Sequence, residues 1–538
     1  MTRTPGDWRA SLARWLPAIV LAIIAFTLAL DITDPPAPGL DPDAVAYLGN
    51  AESLARLGEL RTPSARWWNP DSTSMLAHFP PGFAAAIAVP VRLGMSSQQS
   101  ARLVEALSAF VTVGTLVLLV GDATAPLAGI LLAVALLAMS SMHLVHVSVL
   151  SEPLFLALTA LTLAAMVYRS ERPVAAGVLA AIGALVRYAG LSLVGAVALW
   201  SFAQRATFVT RVRRALTAAL PAVVMQAFWF IRTRQVAATE PIRRLGVYGD
   251  FGPSLDQARE TIEAWLIPDP DALVEPMRFR GMLTVTAAAL LIAVTIAAVR
   301  SLTRRPSVSA REPMTSGAPD AASLLATRAL AAASLLVGCY LALVVVSRSI
   351  ADPGIPFDER ILSPMILLGT TIVATALAVW WRASSAVLPK LALIGVLLGW
   401  WCAAGSVTWD EARQVRDYGS DFGSDDWRRS DLLEWARTDG VRHPLYTNWV
   451  AAVYFHLGRP ARDVPMLTEG PKLPELARVL RANDGRVLLF TVPGVEYLTV
   501  DSLRRAPDLR VVAERADGVV FAAVGEPTRP VRLPTAAP

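Results

Sequence analysis

Cysteine, histidine and charge are all scarce in this chain. Only two cysteines occur in 538 residues, Cys339 and Cys402, and both fall inside apolar runs, which excludes a disulfide framework and a thiolate metal site. There are five histidines; His78, His143 and His146 lack a dependable metal-ligand spacing, and His143 and His146 read as interfacial packing. Charged residues make up only 17% of the chain against 54% apolar. No Walker loop, dinucleotide fingerprint or nucleophile elbow in context is present, so nucleotide-dependent chemistry has no support. The chain also lacks an internal repeat, which counts against a transporter built from two related halves.

What is abundant is apolar sequence in long runs. Runs long enough to cross a bilayer, or nearly so, fall at 16–30, 102–120, 126–142, 152–168, 174–186, 188–203, 213–231, 281–299, 324–346, 361–381 and 386–408. These predict a polytopic α-helical membrane protein of about eleven spans. The run after Arg3, Arg9 and Arg14 reads as a retained first span, since no small-residue cleavage site follows it. Two stretches leave the span count open, 81–94, read as a juxtamembrane helix in the interface, and 174–203.

The net charge of +5 is largely arginine, and much of that arginine sits in short connections, which argues against nucleic-acid binding. The N-terminus, Arg169 to Arg172, Arg205 to Arg214 and Arg300 to Arg311 share one side if the odd-numbered spans run outward; that side is the cytoplasm. The opposite side receives Asp31 to Arg102, His143 to Ser151, Arg232 to Arg280, Ser347 to Arg360 and the stretch from Trp409 onward. We expect a membrane domain over 1–408, with outer loops at 31–101 and 232–280 and a Pro/Ser/Arg-rich linker at 300–322. Residues 409–538 read as a small extracytoplasmic α/β domain, with helices at Asp425 to Arg437 and Leu473 to Leu480 and strands at Val487 to Val492 and Val519 to Val524. Trp67, Trp68, Trp380, Trp381, Trp400 and Trp401 read as an interfacial belt.

The stretch Gly39 to Gly58 follows the first span. Asp41 suits the N-cap, Pro42 the first helical position and Gly58 the stop, so Pro42 to Leu57 reads as a helix. Asp43, Tyr47 and Asn50 then share one face, with Asp43 at the end nearer the preceding span. Asp41 and Asp43 also serve the helix dipole, a purely structural role. Ionisable groups at span ends are costly and need an account. Glu152 opens a span, where it either caps the helix or supplies a second outer-face acid for a metal ion or a sugar hydroxyl. Arg187 lies between two short apolar segments, and Arg360 precedes a span beside Asp358 and Glu359. A local surface ion-pair cluster is the simplest reading of Arg360; the planar guanidinium fork also suits a phosphate.

These residues resemble the GT-C glycosyltransferases, polytopic enzymes that use polyprenyl-phosphate sugars, in the branch of protein O-mannosyltransferases and bacterial aminoarabinose transferases. The likeness is carried by Asp43 and Tyr47 in D-x-x-x-Y-x-x-x-A, HFPPGF (His78 to Phe83), SEPLF (Ser151 to Phe155), ALVRYAGL (Ala184 to Leu191), DERILSP (Asp358 to Pro364) and the segment Tyr446 to Pro465. The resemblance implies that Asp43 is the catalytic base on the acceptor. It further implies that Asp41, Tyr47, Glu152, Arg187, Tyr188 and Arg360 bind substrate, with Arg360 near the donor phosphate. Ala44 stands where relatives often have a second acid, and no lysine lies near His78. The divalent-cation requirement, the sugar and the acceptor are therefore left open.

The expected function is inverting sugar transfer from a polyprenyl-phosphate donor to an acceptor hydroxyl of a glycan, lipid or protein, on the outer face of the bacterial cytoplasmic membrane. The alternatives are a lipid or polysaccharide flippase, a ligase using a diphosphate-linked lipid, and a non-catalytic assembly or receptor protein acting through the residues after Trp409. The clustering of ionisable residues at the outer edge, instead of the bilayer midplane, counts against the flippase.

Overall fold

The computed structural model describes residues 7–34, 38–236, 246–249, 252–268, 321–351, 354–466, 472–491 and 498–525. The span expected at 281–299, the linker at 300–322 except its last two residues, and part of 232–280 lie outside them. The chain divides into two compact units: 1–34, 77–83 and 102–414 form the first, and 35–76, 84–101 and 415–538 the second.

The first unit is helical: α1 (Asp7–Ile32), α4 (Ser97–Ala123, from Arg102 on), α5 (Pro126–Ala138), α6 (Ser140–Val147), α7 (Glu152–Tyr168), α8 (Pro173–Val186), α9 (Leu191–Ala203), α10 (Phe208–Val236), α11 (Gly252–Leu266), α12 (Ala321–Ile350), α13 (Glu359–Ala383) and α14 (Val387–Tyr418, as far as Gln414). Six of the described helices are long and apolar enough to cross a membrane, and α5 with α6 passes the same test as a pair bent by 62°. The protein is thus a polytopic membrane protein. The apolar run expected as one span at 126–142 breaks at Met139, whose backbone is extended. The ambiguous stretch 174–203 is two short helices, α8 and α9, separated by a 3₁₀ turn at Tyr188–Gly190.

Small residues set the closest approaches. Ala18, Ala25 and Ala29 of α1 are buried against Ala106, Ala109 and Val113 of α4. Where no water exists to drive apolar surfaces together, such close backbone approach is what lets dispersion hold helices. The charged ends are clamped as well: the Arg14 guanidinium donates to both carboxylate oxygens of Asp122, and the Tyr168 hydroxyl donates to the same group at 2.7 Å.

The second unit contains α2 (Pro42–Leu57), most of α3 (Gly82–Arg92), α17 (Val450–Leu457), an antiparallel pair of β1 (Arg61–Thr62) and β3 (Ser74–Met75), and a six-stranded sheet in the order β2-β5-β4-β6-β8-β7. The strands are β2 (Ser64–Ala65), β4 (Leu445–Thr447), β5 (Ala461–Asp463), β6 (Arg486–Phe490), β7 (Leu509–Arg515) and β8 (Gly518–Ala523). Pairing is parallel from β2 through β6 and antiparallel across β6, β8 and β7. β6 is apolar almost throughout because both faces are covered. Val487 and Leu489 join Leu476, Ala477 and Leu480 of α18 (Leu473–Asn483), while Leu488 and Phe490 join Leu432, Leu433, Trp435 and Ala436 of α16 (Asp431–Thr438).

Two features of this unit differ from a reading by composition. The single helix expected over Asp425 to Arg437 is two, α15 (Asp425–Arg428) and α16, because the Ser430 hydroxyl caps a new start by accepting from Leu433 N at 3.1 Å. The sheet also takes an edge strand, β2, from within residues 31–101. Asp463 secures that stretch, accepting from Trp67 N at 2.7 Å and from Arg66 at 3.0 Å, and Trp67, expected in the interfacial belt, is buried in the sheet's core.

Candidate functional site

Three sequence-predicted residues, 208 positions apart at the extremes, meet in the first unit. Glu152 is the first residue of α7 and is buried. Its Oε2 lies 2.6 Å from Arg187 Nη1, and its Oε1 accepts from Arg360 Nε at 3.1 Å. The Ser151 hydroxyl accepts from Arg187 Nη1 at 3.0 Å. A carboxylate in the first turn gains from the helix dipole, and Pro153 fits the first turn because its missing N–H would be unpaired there in any case. Arg360, for which local acids offered the simplest account, pairs with distant Glu152. Asp358 serves as the N-cap of α13, accepting from Ile361 N at 2.9 Å. Glu152 is likewise not an open ligand, since each of its oxygens already faces a guanidinium.

The backbone explains how the arginines arrive. Arg187 ends α8 with extended dihedrals, and its N–H still donates to Gly183 O at 2.9 Å. The chain then doubles back through the 3₁₀ turn, and Gly190 rests directly on the backbone of Gly183 and Ala184, where a Cβ would collide. Gly82, in the HFPPGF stretch, abuts the same helix end: a methyl there would sit 2.6 Å from Leu185 O. Arg360 occupies the first turn of α13, whose Ile361 carbonyl accepts from the Tyr340 hydroxyl of α12 at 2.5 Å. The Arg360 side chain is 36% exposed, that of Arg187 16% and that of Glu152 2%, so the acid lies deepest and the cations lie above it. The three groups carry one net positive charge.

Tyr188 stands beside this cluster in sequence but turns elsewhere, its hydroxyl accepting from Trp229 Nε1 at 3.2 Å. Asp41, Asp43 and Tyr47 belong to the second unit, on α2. That helix has the predicted ends: Asp41 Oδ1 accepts from Ala44 N at 2.7 Å, and Gly58 closes it with φ of 73°. Asp43 is half-buried in the first turn and Tyr47 is buried one turn on. Asn50, on the same face, donates to Thr62 Oγ1 at 3.1 Å. Among the described residues no three histidine, cysteine or acidic side chains gather as a metal would need.

Glu105 of α4 was not singled out from the sequence. It is fully buried, and its Oε1 accepts from Leu150 N at 2.9 Å, fixing the backbone two residues before Glu152. An ionisable residue inside the apolar run 102–120 was the available signal. Tyr340 carried none, since its role depends on a partner distant in sequence, and Ser151 entered only as the first residue of SEPLF.

No protein-family model matches the chain, and no curated protein matches it by sequence. Solved structures match by shape. The oligosaccharyltransferase from Archaeoglobus fulgidus in the apo form aligns over 88% of this chain and 69% of its own, with a TM-score of 0.50 and 11% identity. ArnT from Cupriavidus metallidurans in the apo state aligns over 95% of this chain and 98% of its own, with a TM-score of 0.46 and 16% identity. The archaeal oligosaccharyltransferase AglB, also from A. fulgidus, in complex with an inhibitory peptide and a dolichol-phosphate, covers 88% and 69%, with a TM-score of 0.47 and 10% identity. The likeness to the A. fulgidus apo structure is one of fold, and the chain has the expected helical membrane part with a small C-terminal α/β part.

Proposed function

We propose that this chain is a membrane glycosyltransferase that moves a sugar from a polyprenyl-phosphate donor to an acceptor hydroxyl on the outer face of the cytoplasmic membrane. The observation that carries the proposal is the Glu152–Arg187–Arg360 cluster. A buried acid holding two guanidinium groups costs more than an apolar replacement would, so its retention in an apolar helix bundle calls for a use. Fixed guanidinium groups suit a phosphate.

The donor class taken in this reading is the sugar phosphodiester that the family resemblance implies. As the sugar–oxygen bond breaks, the phosphate becomes a dianion, and cations already in place stabilise that growing charge without reorganising. Arg360, the more exposed of the two, is the phosphate contact in this reading, and Glu152 acts through the arginines.

On the acceptor side, Asp43 is the general base, taking the proton of the attacking hydroxyl so that attack from the opposite face inverts the anomeric centre. The capped start of α2 holds it, with Asp41 spent on the cap and Tyr47 on the same face. In this reading the N-terminus is cytoplasmic and the α/β unit extracytoplasmic, a sidedness that the arginine-rich connections support. The likeness to an oligosaccharyltransferase supports sugar transfer as the class of reaction.

Incubating the purified protein with a panel of polyprenyl-phosphate sugars, with mass analysis of released lipid phosphate and glycosylated product, tests the proposal. Cleavage of at least one donor that is lost in Arg360→Ala is expected. Cleavage of diphosphate-linked donors alone would overturn the donor assignment, and lipid translocation with no cleaved donor would overturn the enzyme.

A further inference from the structure

The segment 232–280, expected as an outer loop, contains a helix whose inner face does one thing. Ser254, Gln257 and Thr261 of α11 lie at i, i+3 and i+7, hence on one stripe. Ser254 Oγ accepts from Arg348 Nε at 3.0 Å, at the end of α12. Gln257 Oε1 accepts from Phe357 N at 2.9 Å, and Thr261 Oγ1 donates to Phe357 O at 3.0 Å. Both backbone groups of Phe357, a buried residue three positions before Arg360, are thus held by side chains of a single helix. Trp265 packs on Gly369 of α13, and Leu266 O accepts from Trp400 Nε1 at 3.1 Å, which anchors the far end of α11.

We propose that α11 is the positioning element for Arg360, with Gln257 and Thr261 as its positioning residues. The inference rests on the donor-phosphate role given to Arg360 above. The lead into α13 has no regular secondary structure, so without those two bonds Phe357 would be fixed only by its own packing. Phe357 is followed directly by the Asp358 cap, and the cap sets where α13 begins and therefore where Arg360 leaves the helix. One side chain binding each backbone group fixes the two peptide units on either side of the Phe357 Cα, which packing of the Phe357 ring alone would not do. The guanidinium is then delivered to Glu152 in one geometry instead of several, and the donor pays no ordering cost on binding.

The test compares full-length wild type, Gln257→Ala/Thr261→Val, Thr261→Ser, Arg360→Ala and the triple variant, using a polyprenyl-phosphate sugar that the wild type cleaves. Two lost hydrogen bonds of ordinary net strength predict about a thirty-fold fall in kcat/KM for the donor. The acceptor KM should be unchanged, Thr261→Ser should restore near-normal values, and no further loss should appear when the pair is added to Arg360→Ala. Backbone hydrogen exchange over 354–362, read in the same samples, should rise in the double variant while α7 keeps its protection. Unchanged exchange in that segment would overturn the inference whatever the activity. So would a double variant as active as wild type, or one that multiplies the loss of Arg360→Ala. Full activity in Arg360→Ala would instead strike down the phosphate role, leaving exchange to decide whether α11 clamps the segment.

Discussion

Replacing Glu152 with Gln keeps the shape of the side chain and removes the one negative charge between two guanidinium groups. With charge centres about 4 Å apart and an effective dielectric near 20, each pair contributes about 4 kcal/mol of attraction before desolvation is counted. Arg360 is partly solvated, so its share is discounted and the deeper Arg187 pair carries more. Removing one partner of a buried pair typically costs about 3–5 kcal/mol, mostly because the remaining charges are left uncompensated. Two effects on donor binding then oppose each other. The cluster's net charge rises from +1 to +2, which by charge alone would tighten a phosphate, whereas mutual repulsion drives the arginines apart. Positioning is expected to win, because the amide can accept from only one guanidinium through its single oxygen and presents N–H donors to the other. Donor KM should rise at least ten-fold and the thermal midpoint in detergent should fall, with Glu152→Asp intermediate. A double-mutant cycle with Arg360→Ala should give a coupling of about 0.5–3 kcal/mol. A Glu152→Gln protein with tighter donor binding and an unshifted midpoint would refute the positioning argument and reduce Glu152 to a charge-tuning role.

Three other outcomes follow from the same geometry. Asp43→Asn should lower transfer by about 10²–10⁴-fold while donor affinity, measured by lipid-phosphate displacement, stays near wild type; near-normal turnover would remove Asp43 as the base. Gly190→Ala should cost about 1–3 kcal/mol through a clash with the backbone of α8 and should raise donor KM by moving Arg187. A thermal midpoint and KM equal to wild type would show that the turn relaxes freely. In the α/β unit, burial lowers the pKa of His456, whose Nε2 lies 2.8 Å from Phe422 O, below its ordinary 6.5. Its folded form therefore binds the proton less readily than its unfolded form, so its stabilisation is complete above that ordinary value and lost as pH falls below it. The protection of β6 amides, taken relative to their intrinsic exchange rate at each pH, should fall between about pH 7.5 and about pH 5.5, and less so in His456→Gln. An equal slope in both proteins would assign the effect to other groups.

Some of this molecule was legible in sequence because the cause is local. α2 runs from Pro42 to Leu57 as Asp41, Pro42 and Gly58 dictate, since capping and positive φ are settled by the residues concerned and their nearest neighbours. Ten of the eleven expected apolar runs fall on described helices, the one at 126–142 split at Met139, because in lipid a backbone must satisfy its own hydrogen bonds. The candidate residues Glu152, Arg187 and Arg360 could be picked out as ionisable groups at the ends of apolar runs.

Tertiary structure decided what each of them faces. Sequence proximity favoured Asp358 and Glu359 as partners for Arg360; the packing of α7 against this helix start brings in Glu152, which no local reading supplies. The role of Gln257 and Thr261 depends on which peptide lies opposite their stripe, and nothing in a fifteen-residue amphipathic window encodes that. Likewise β2 is two residues long and exists only because a parallel edge was available to pair with it. Periodicity and caps follow from short-range sterics and hydrogen bonding, whereas ion pairs between helices follow from which surfaces pack, a property of the whole chain.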